Sequence, residues 1–184
     1  MAIALVIGCS TDVWGEVYEA KALTEFDAVY CVKLAGVHWT GGRFSWVTLH
    51  PEFMDAYEAE RKALGLHSDY EIVAPLSGEV GMHGTKGKIT RRVSYRYQGM
   101  NSSASSGGYA AKIALEDGHD KVILAGVPMR QEDNHFTRGK PWLQRDSFIS
   151  GWNLSVPHFK GKVKSMSGMT REVLGYPDAE WING

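Results

Sequence analysis

A loop of small residues running into a helix carries the clearest chemistry in this sequence. Ser102 to Val127 reads Ser-Ser-Ala-Ser-Ser-Gly-Gly-Tyr-Ala-Ala-Lys-Ile-Ala-Leu-Glu-Asp-Gly-His-Asp-Lys-Val-Ile-Leu-Ala-Gly-Val. Peptide N–H groups left unpaired at a helix start, beside the positive end of the helix dipole, bind anions, most often phosphate. Ser105, Ser106, Gly107 and Gly108 are therefore expected to hold a phosphate or carboxylate. A plain N-cap built from tolerant small residues is the competing reading. If the anion reading holds, a bulky side chain at Gly107 should cost binding more than folding.

Other polar residues fall where chemistry is done. His135, in Asp133-Asn134-His135-Phe136, has a near-neutral pKa that suits a general base removing a proton from an acceptor hydroxyl. A loop histidine bonded to a carbonyl is its bland alternative. His50 sits at a strand end just before Pro51; it suits contact with a phosphate or ribose, and suits a helix cap equally. Gly8-Cys9-Ser10-Thr11-Asp12 forms the first turn, where Asp12 suits a ribose hydroxyl and suits an N-cap better. Ser165 and Ser167 close the last strand. Tyr109 and Trp142 suit base stacking, although aromatics near helix starts are more often core. From Leu76 to Gly99, Lys86, Lys88, Arg91, Arg92 and Arg96 make the densest positive segment. With Val93, Tyr95 and Tyr97 alternating, it reads as an exposed strand or hairpin arm. Arg91 and Arg92 either close over an acidic ligand as a lid or simply solvate an edge.

The elements that must position these residues follow from pattern. Ala2 to Ile7 is a continuous apolar run, as for a parallel strand buried on both faces. Val13 to Leu23 reads as a helix, and Phe26 to Val32 and Phe44 to Leu49 as strands. Pro51 to Leu64 is a strong helix with Pro in its first turn and Gly65 after its end. Tyr70 to Ala74 is a strand. Gly118 stops the helix after Ser106, and Lys121 to Val127 is the next strand. A long polar loop, 128–140, leads to a helix near Trp142 to Trp152, a strand at Val163 to Ser165 and a short helix at Met169 to Leu174. This alternation predicts an α/β fold, a single doubly wound, mostly parallel, Rossmann-like sheet over residues 1–184 with the basic arm inserted at about 76–100. In such sheets ligands bind at the carboxyl ends of the strands. Gly8 to Asp12, His50, Ser102 to Gly108, Pro128 to His135 and Ser165 to Gly168 all fall there.

Composition narrows the class. The chain has 184 residues, 43% hydrophobic and 22% charged, with a net charge of −1. That is enough for one sizeable core and argues against bulk capture of nucleic acid. Six Trp and eight Tyr suit packing or stacking of flat groups. The two cysteines, Cys9 and Cys31, lie at predicted strand ends and read as reduced, buried thiols of a cytoplasmic protein, with a disulfide left open. The apolar N-terminus reads as a strand rather than a signal peptide, and no run is long enough to span a membrane. No Gly-x-Gly-x-x-Gly follows the first strand, and neither a phosphate loop ending in Gly-Lys-Ser/Thr nor a Gly-x-Ser-x-Gly elbow occurs. Acidic pairs suited to magnesium are not clustered at strand ends, and no metal site is expected.

The order of motifs resembles the Rossmann-like bacterial sialyltransferases that use a CMP-activated sugar, with the related pterin-pyrophosphokinase-like and flagellin-glycosylation proteins. The likeness is carried by Gly8, by Phe26-Asp27-Ala28-Val29-Tyr30-Cys31 and by Trp46-Val47-Thr48-Leu49-His50-Pro51. It is clearest from Ser106-Gly107-Gly108-Tyr109 through Ile123-Leu124-Ala125-Gly126-Val127, and Ser165 to Leu174 resembles the family's closing nucleotide-contact loop. It implies a nucleotide-type ligand on this fold, and His135 is the match for the family's catalytic histidine. The departures are equally specific. The family's Asn-Gly-Pro-Ser turn stands here as Cys9-Ser10-Thr11-Asp12, its Asn after the second strand as Val32, and its acid after the fourth strand as Pro128.

The expectation is a nucleotide or nucleotide-sugar binding protein with no obligatory cofactor. An active, metal-independent glycosyltransferase with His135 as base is the alternative, and a structural protein without a ligand the third reading. Its partner is a small nucleotide-type molecule; neither membrane nor bulk nucleic acid is expected, and homo-oligomerisation stays open.

Overall fold

A computed structural model describes residues 1–66, 69–79, 88–98, 104–130 and 145–184. Its strands are β1 (Ile3–Ile7), β2 (Ala28–Val32), β3 (Phe44–Val47), β4 (Tyr70–Pro75), β5 (Arg91–Val93), β6 (Lys121–Ala125) and β7 (Val163–Ser165). Its helices are α1 (Val13–Leu23), α2 (Leu34–His38), α3 (Met54–Ala63), α4 (Ser106–Glu116), α5 (Arg145–Phe159), α6 (Gly168–Leu174) and α7 (Ala179–Asn183). The strands form one seven-stranded sheet in the order β5-β4-β3-β2-β1-β6-β7, with every pairing parallel. The expected doubly wound α/β architecture is therefore present, and its sheet is wholly parallel where a mostly parallel one was expected.

β1 is the hinge of this order, pairing with β2 on one side and β6 on the other. All five of its residues are buried, which is why the run reads as unbroken apolar sequence. Ala4 and Val6 face the layer of α4 and α5, packing with Tyr109, Ile113, Trp152 and Phe159. Ile3, Leu5 and Ile7 face the opposite layer, with Val13 and Val17 of α1, Val37 of α2 and Met54 of α3. Strand alternation thus sends one strand's side chains into two cores.

Glycines stop the helices as their positions suggest. After α3, Gly65 has φ +69°, its N–H bonds the carbonyl of Lys62, and the N–H of Leu66 bonds that of Arg61. After α4, Gly118 has φ +92° and the same bond pair runs to Leu115 and Ala114. Both are Schellman closures, which need a left-handed residue. The helix expected over Pro51 to Leu64 divides into a 3-10 turn, Pro51–Phe53, and α3. α5 continues beyond Trp152 to Phe159, and residues 142–144 lie outside the described set. α2 and α7 had no counterpart in the sequence pattern. α2 exists because Arg61, 2% exposed, donates to the carbonyls of Gly36 (2.6 Å), Val37 (3.1 Å) and Trp39 (2.7 Å) at its end. Burial lowers the pKa of that guanidinium, and the carbonyls of the negative helix end hold it. α7 is docked by Lys121, whose ammonium donates to the carbonyl of Trp181. Among the described residues no helix is long and apolar enough to cross a membrane.

The basic arm is an edge strand whose arginines are engaged, while Lys88 is exposed. Arg91 donates to both oxygens of Asp117 (2.6 and 2.9 Å) and to Glu71 (3.0 Å), and Tyr30 Oη donates to Asp117 (2.7 Å). This cluster ties β5 to the end of α4 and the start of β4, away from the carboxyl ends of the strands. Arg92 donates to the carbonyl of Pro75 (2.8 Å). Glu79 gathers the arm, accepting from Ser94 Oγ (2.8 Å) and the N–H of Tyr95 (2.7 Å). Tyr95 and Tyr97, expected on an exposed arm, pack partly buried against the α4–α5 core. Lys86 lies outside the described residues.

Burial opposes ionisation of Asp117, yet the bonds from Arg91 and Tyr30 outweigh it, so its carboxyl titrates below the usual range. Its stabilising contribution is present above the ordinary carboxylate range and is lost as pH falls through the lowered value. Arg91→Ala should lower stability by about 1–2 kcal/mol at pH 7, the range for a partly exposed charged hydrogen-bond network. The gap between variant and parent should narrow once the pH falls below the ordinary carboxylate value of about 4 and close as it passes the lowered value of Asp117. Urea unfolding at pH 7 and pH 2.5 measures both.

Candidate functional site

The sheet reverses its order between β1 and β6, and the loops after these strands meet backbone to backbone. The N–H of Gly8 donates to the carbonyl of Ala125 (2.7 Å), and that of Ser10 to Gly126 (3.2 Å). A Cβ at Gly8 would stand 2.1 Å from the carbonyl oxygen of Gly126. Gly126 has φ +72°, and a Cβ there would stand 2.4 Å from Val13. The loop after β7 joins them, since the N–H of Met169 bonds the carbonyl of Pro128 (2.9 Å) and Thr170 Oγ1 donates to that of Val127 (2.6 Å). In open parallel sheets this reversal is the crevice where ligands bind.

Glu16 of α1 stands at the centre of this junction and has no counterpart among the residues singled out by sequence. Its carboxylate accepts from the N–H of Gly126 (2.7 Å) and the hydroxyl of Ser167 (2.6 Å), so α1 and the loops after β6 and β7 share one acid. Burial raises its pKa despite those two donors. In sequence it looks like one more polar residue of a helix surface.

The neighbouring Ser10 is the reverse case. It is 5% exposed, and its hydroxyl has no hydrogen-bond partner. Native structures rarely leave a buried hydroxyl unpaired. Asp12 occupies the N-cap position of α1, but its side chain makes no cap bond and is exposed at the rim. The cap favoured for it by sequence is not made.

Cys9 turns its thiol to the carbonyl of Val32 (3.1 Å). Burial pushes that thiol up to about 11, outweighing the N–H groups of Ala35 and Leu34 and the charge of Lys33. Burial raises Cys31 as well, and both cysteines are free. They are protonated thiols near neutral pH, as expected of reduced core cysteines. His50 makes no cap bond; its Nδ1 lies 2.9 Å from Glu52 and its N–H donates to Thr48 Oγ1 (2.9 Å). It remains at the rim, beside the end of β3.

The Ser/Gly helix start serves packing. Ser106, Gly107 and Gly108 are buried. A Cβ at Gly107 would meet Val127 Cγ1 at 2.7 Å, and one at Gly108 would meet the Cβ of Ala104 at 2.1 Å. A bulky residue at Gly107 must therefore displace Val127, a folding cost that stands beside any cost to binding. Ser105 takes the N-cap position without a cap bond, its Oγ accepting from Trp152 Nε1 (3.2 Å). Ser165 is buried and bonds Thr170 (2.8 Å). Tyr109, 1% exposed, donates to the carbonyl of Val93 (2.9 Å) and lies edge-on to Tyr95, a core position rather than a stacking platform. Arg91 is held away from this rim. His135, Trp142 and Ser102 lie outside the described residues.

The junction makes a testable demand. A raised carboxyl pKa means that folding gains stability as pH falls through that value toward the ordinary Glu range, and loses it as pH rises. Glu16→Gln retains an acceptor and adds a donor without the charge. It should match or exceed the parent's Tm at pH 7 and lack Glu16's share of the stability gained as pH falls toward the ordinary Glu value of about 4.5. Glu16→Ala should lose about 1–3 kcal/mol by orphaning the Gly126 N–H. Thermal unfolding across pH 5–8 distinguishes the three proteins.

No protein-family model matches the chain, and no curated protein matches it. Among solved structures it is similar to a sialyltransferase from Campylobacter jejuni, solved in complex with the substrate analogue cytidine-5′-monophosphate. The match has a TM-score of 0.59 at 10% identity and covers 97% of this chain and 87% of the other. At that identity the likeness is one of fold alone: a single parallel, Rossmann-like α/β sheet.

Proposed function

We propose that this chain binds a nucleotide-type ligand, a nucleoside phosphate or nucleotide-sugar, at the carboxyl rim where the order of the sheet reverses. The observation that carries the reading is the buried, unpartnered hydroxyl of Ser10 at that reversal. A hydroxyl left unpaired costs about 1–3 kcal/mol, a cost a ligand hydroxyl, phosphate or amide removes on arrival. Gly8 and Gly126 bring two backbones together beside it. The fold shared with a protein crystallised with cytidine-5′-monophosphate supports the ligand class. Sugar transfer, with His135 as base, is the catalytic extension of this reading.

Thermal shift and calorimetry with nucleoside mono- and diphosphates and nucleotide-sugars test it, because a ligand specific to the native state raises Tm by mass action. Ser10→Ala should keep or raise the unliganded Tm while weakening the best nucleotide about 5–10-fold, the worth of one hydrogen bond. No Tm response to any nucleotide at millimolar concentration would sink the proposal. An affinity untouched by Ser10→Ala would remove the ligand from this junction.

A further inference from the structure

Lys33 follows β2 at the carboxyl rim with φ +47° and ψ −118°. Those angles belong to the first central position of a type II′ turn, which glycine dominates. A lysine held there costs conformational energy, and such strain persists only where the surroundings enforce it, most often at functional sites. Among the described residues the other non-glycine with positive φ is Met129, at +57°, in the loop after β6 on the same rim.

The backbone of Lys33 is fully used. Its N–H bonds the carbonyl of Val47 (3.2 Å), and its carbonyl accepts from Trp46 Nε1 (2.6 Å) and the N–H of Gly36 (3.1 Å). Its side chain is not. The residue is half-buried, yet its ammonium makes neither a hydrogen bond nor an ion pair with any described residue, and Glu52 acts on it only from beyond ion-pair distance. Other inward cations are committed: Arg61 to carbonyls, Arg91 to two acids, Lys112 to Glu116 and Lys121 to α7. Burial lowers the pKa of Lys33. An anion arriving there would repair that desolvation. Lys33 is also beside the crevice: Cys9, next in the chain to Ser10, bonds the carbonyl of Val32, next in the chain to Lys33.

We propose that Lys33 is the charge-reading residue of this rim, its ammonium seating an anionic group of the ligand, phosphate or carboxylate, at the carboxyl end of β2. The proposal deepens the nucleotide reading and rests on it for the location of the ligand. The cation serving the site is then a strained lysine in the sheet's interior, in place of Arg91 and Arg92 of the arm.

Calorimetry on the full chain compares cytidine-5′-monophosphate, cytidine, pyrophosphate and glucuronate for the parent, Lys33→Gln, Lys33→Arg and Lys33→Gly. The parent should bind the monophosphate more tightly than cytidine. Lys33→Gln should lose about 10–100-fold on the monophosphate, the range of one charge-assisted hydrogen bond, with cytidine unchanged. Lys33→Arg should restore part of that loss. Lys33→Gly should unfold at a higher Tm and show the same loss, which separates charge from strain. Lys33-dependent binding of glucuronate alone assigns the anion as a carboxylate. Cytidine binding without any Lys33-dependent anion effect overturns the proposal and leaves the nucleotide reading standing. Lys33-dependent pyrophosphate binding with no response to nucleoside or nucleotide upholds the lysine and overturns the nucleotide reading. Anion affinities equal in the parent and Lys33→Gln overturn the lysine's role.

Discussion

The close approach of Gly8 and Gly126 is the constraint on which the rest of the rim depends. With 2.1 Å between a would-be Cβ on Gly8 and the carbonyl oxygen of Gly126, no side chain fits between the loops after β1 and β6. That contact lets Ser10 reach the carbonyl of Gly126 and lets Glu16 reach its N–H. The same acid then takes Ser167, bringing in the loop after β7. Three stretches distant in sequence, 8–16, the loop after β6 and the loop after β7, are thus fixed by two glycines and one carboxylate. The sheet hydrogen bonds bring β1 and β6 side by side, but they do not specify how close their loops come beyond the last pair.

Away from this rim the polar groups of the interior are largely satisfied locally. Arg91, Asp117, Glu71 and Tyr30 close on one another, Arg61 caps α2, and Lys112 pairs with Glu116 while lying 5.3 Å over Tyr97. Arg91 Nε lacks a partner, although its two other nitrogens are bonded. Arg96 Nε and His119 Nε2 also lack partners; at the carboxyl ends of β1, β2 and β6 stand the Ser10 hydroxyl, the Lys33 ammonium and the positive φ of Lys33 and Met129.

The fold was legible wherever local pattern and tertiary burial agree. β1 and β6 are continuous apolar runs because both their faces are covered, and Gly65 and Gly118 mark helix ends because a Schellman closure needs a left-handed residue. α2 was invisible, because a five-residue helix has no measurable period and stands on the guanidinium of Arg61, 22 to 25 residues away. The site was legible only as a rim. Small residues at Ser106, Gly107 and Gly108 signal both an anion cradle and a tight helix–sheet contact. Only the position of Val127 shows the packing demand on Gly107. Glu16 and Lys33 escaped notice because a carboxylate on a helix and a lysine after a strand are ordinary surface residues until topology places them. What distinguishes Lys33 is a dihedral angle, which no residue type announces.

The two sides of the crevice differ in chemistry. Toward β2 and β3 stand the Lys33 ammonium and His50, which pairs with Glu52. Toward β6 and β7, among the described residues, the N–H of Gly126 and the Ser167 hydroxyl are both bonded to Glu16, and the Arg145 guanidinium is held on the carbonyl of Met129. Coulomb attraction acts over several ångströms at a partly buried site, whereas neutral hydrogen bonds require contact distance. A ligand with one charged end and one neutral polar end would be drawn in at Lys33 and oriented at the Ser10 hydroxyl. A nucleoside phosphate has that division of charge, and the reversal beside β1 is where its two halves would be read separately.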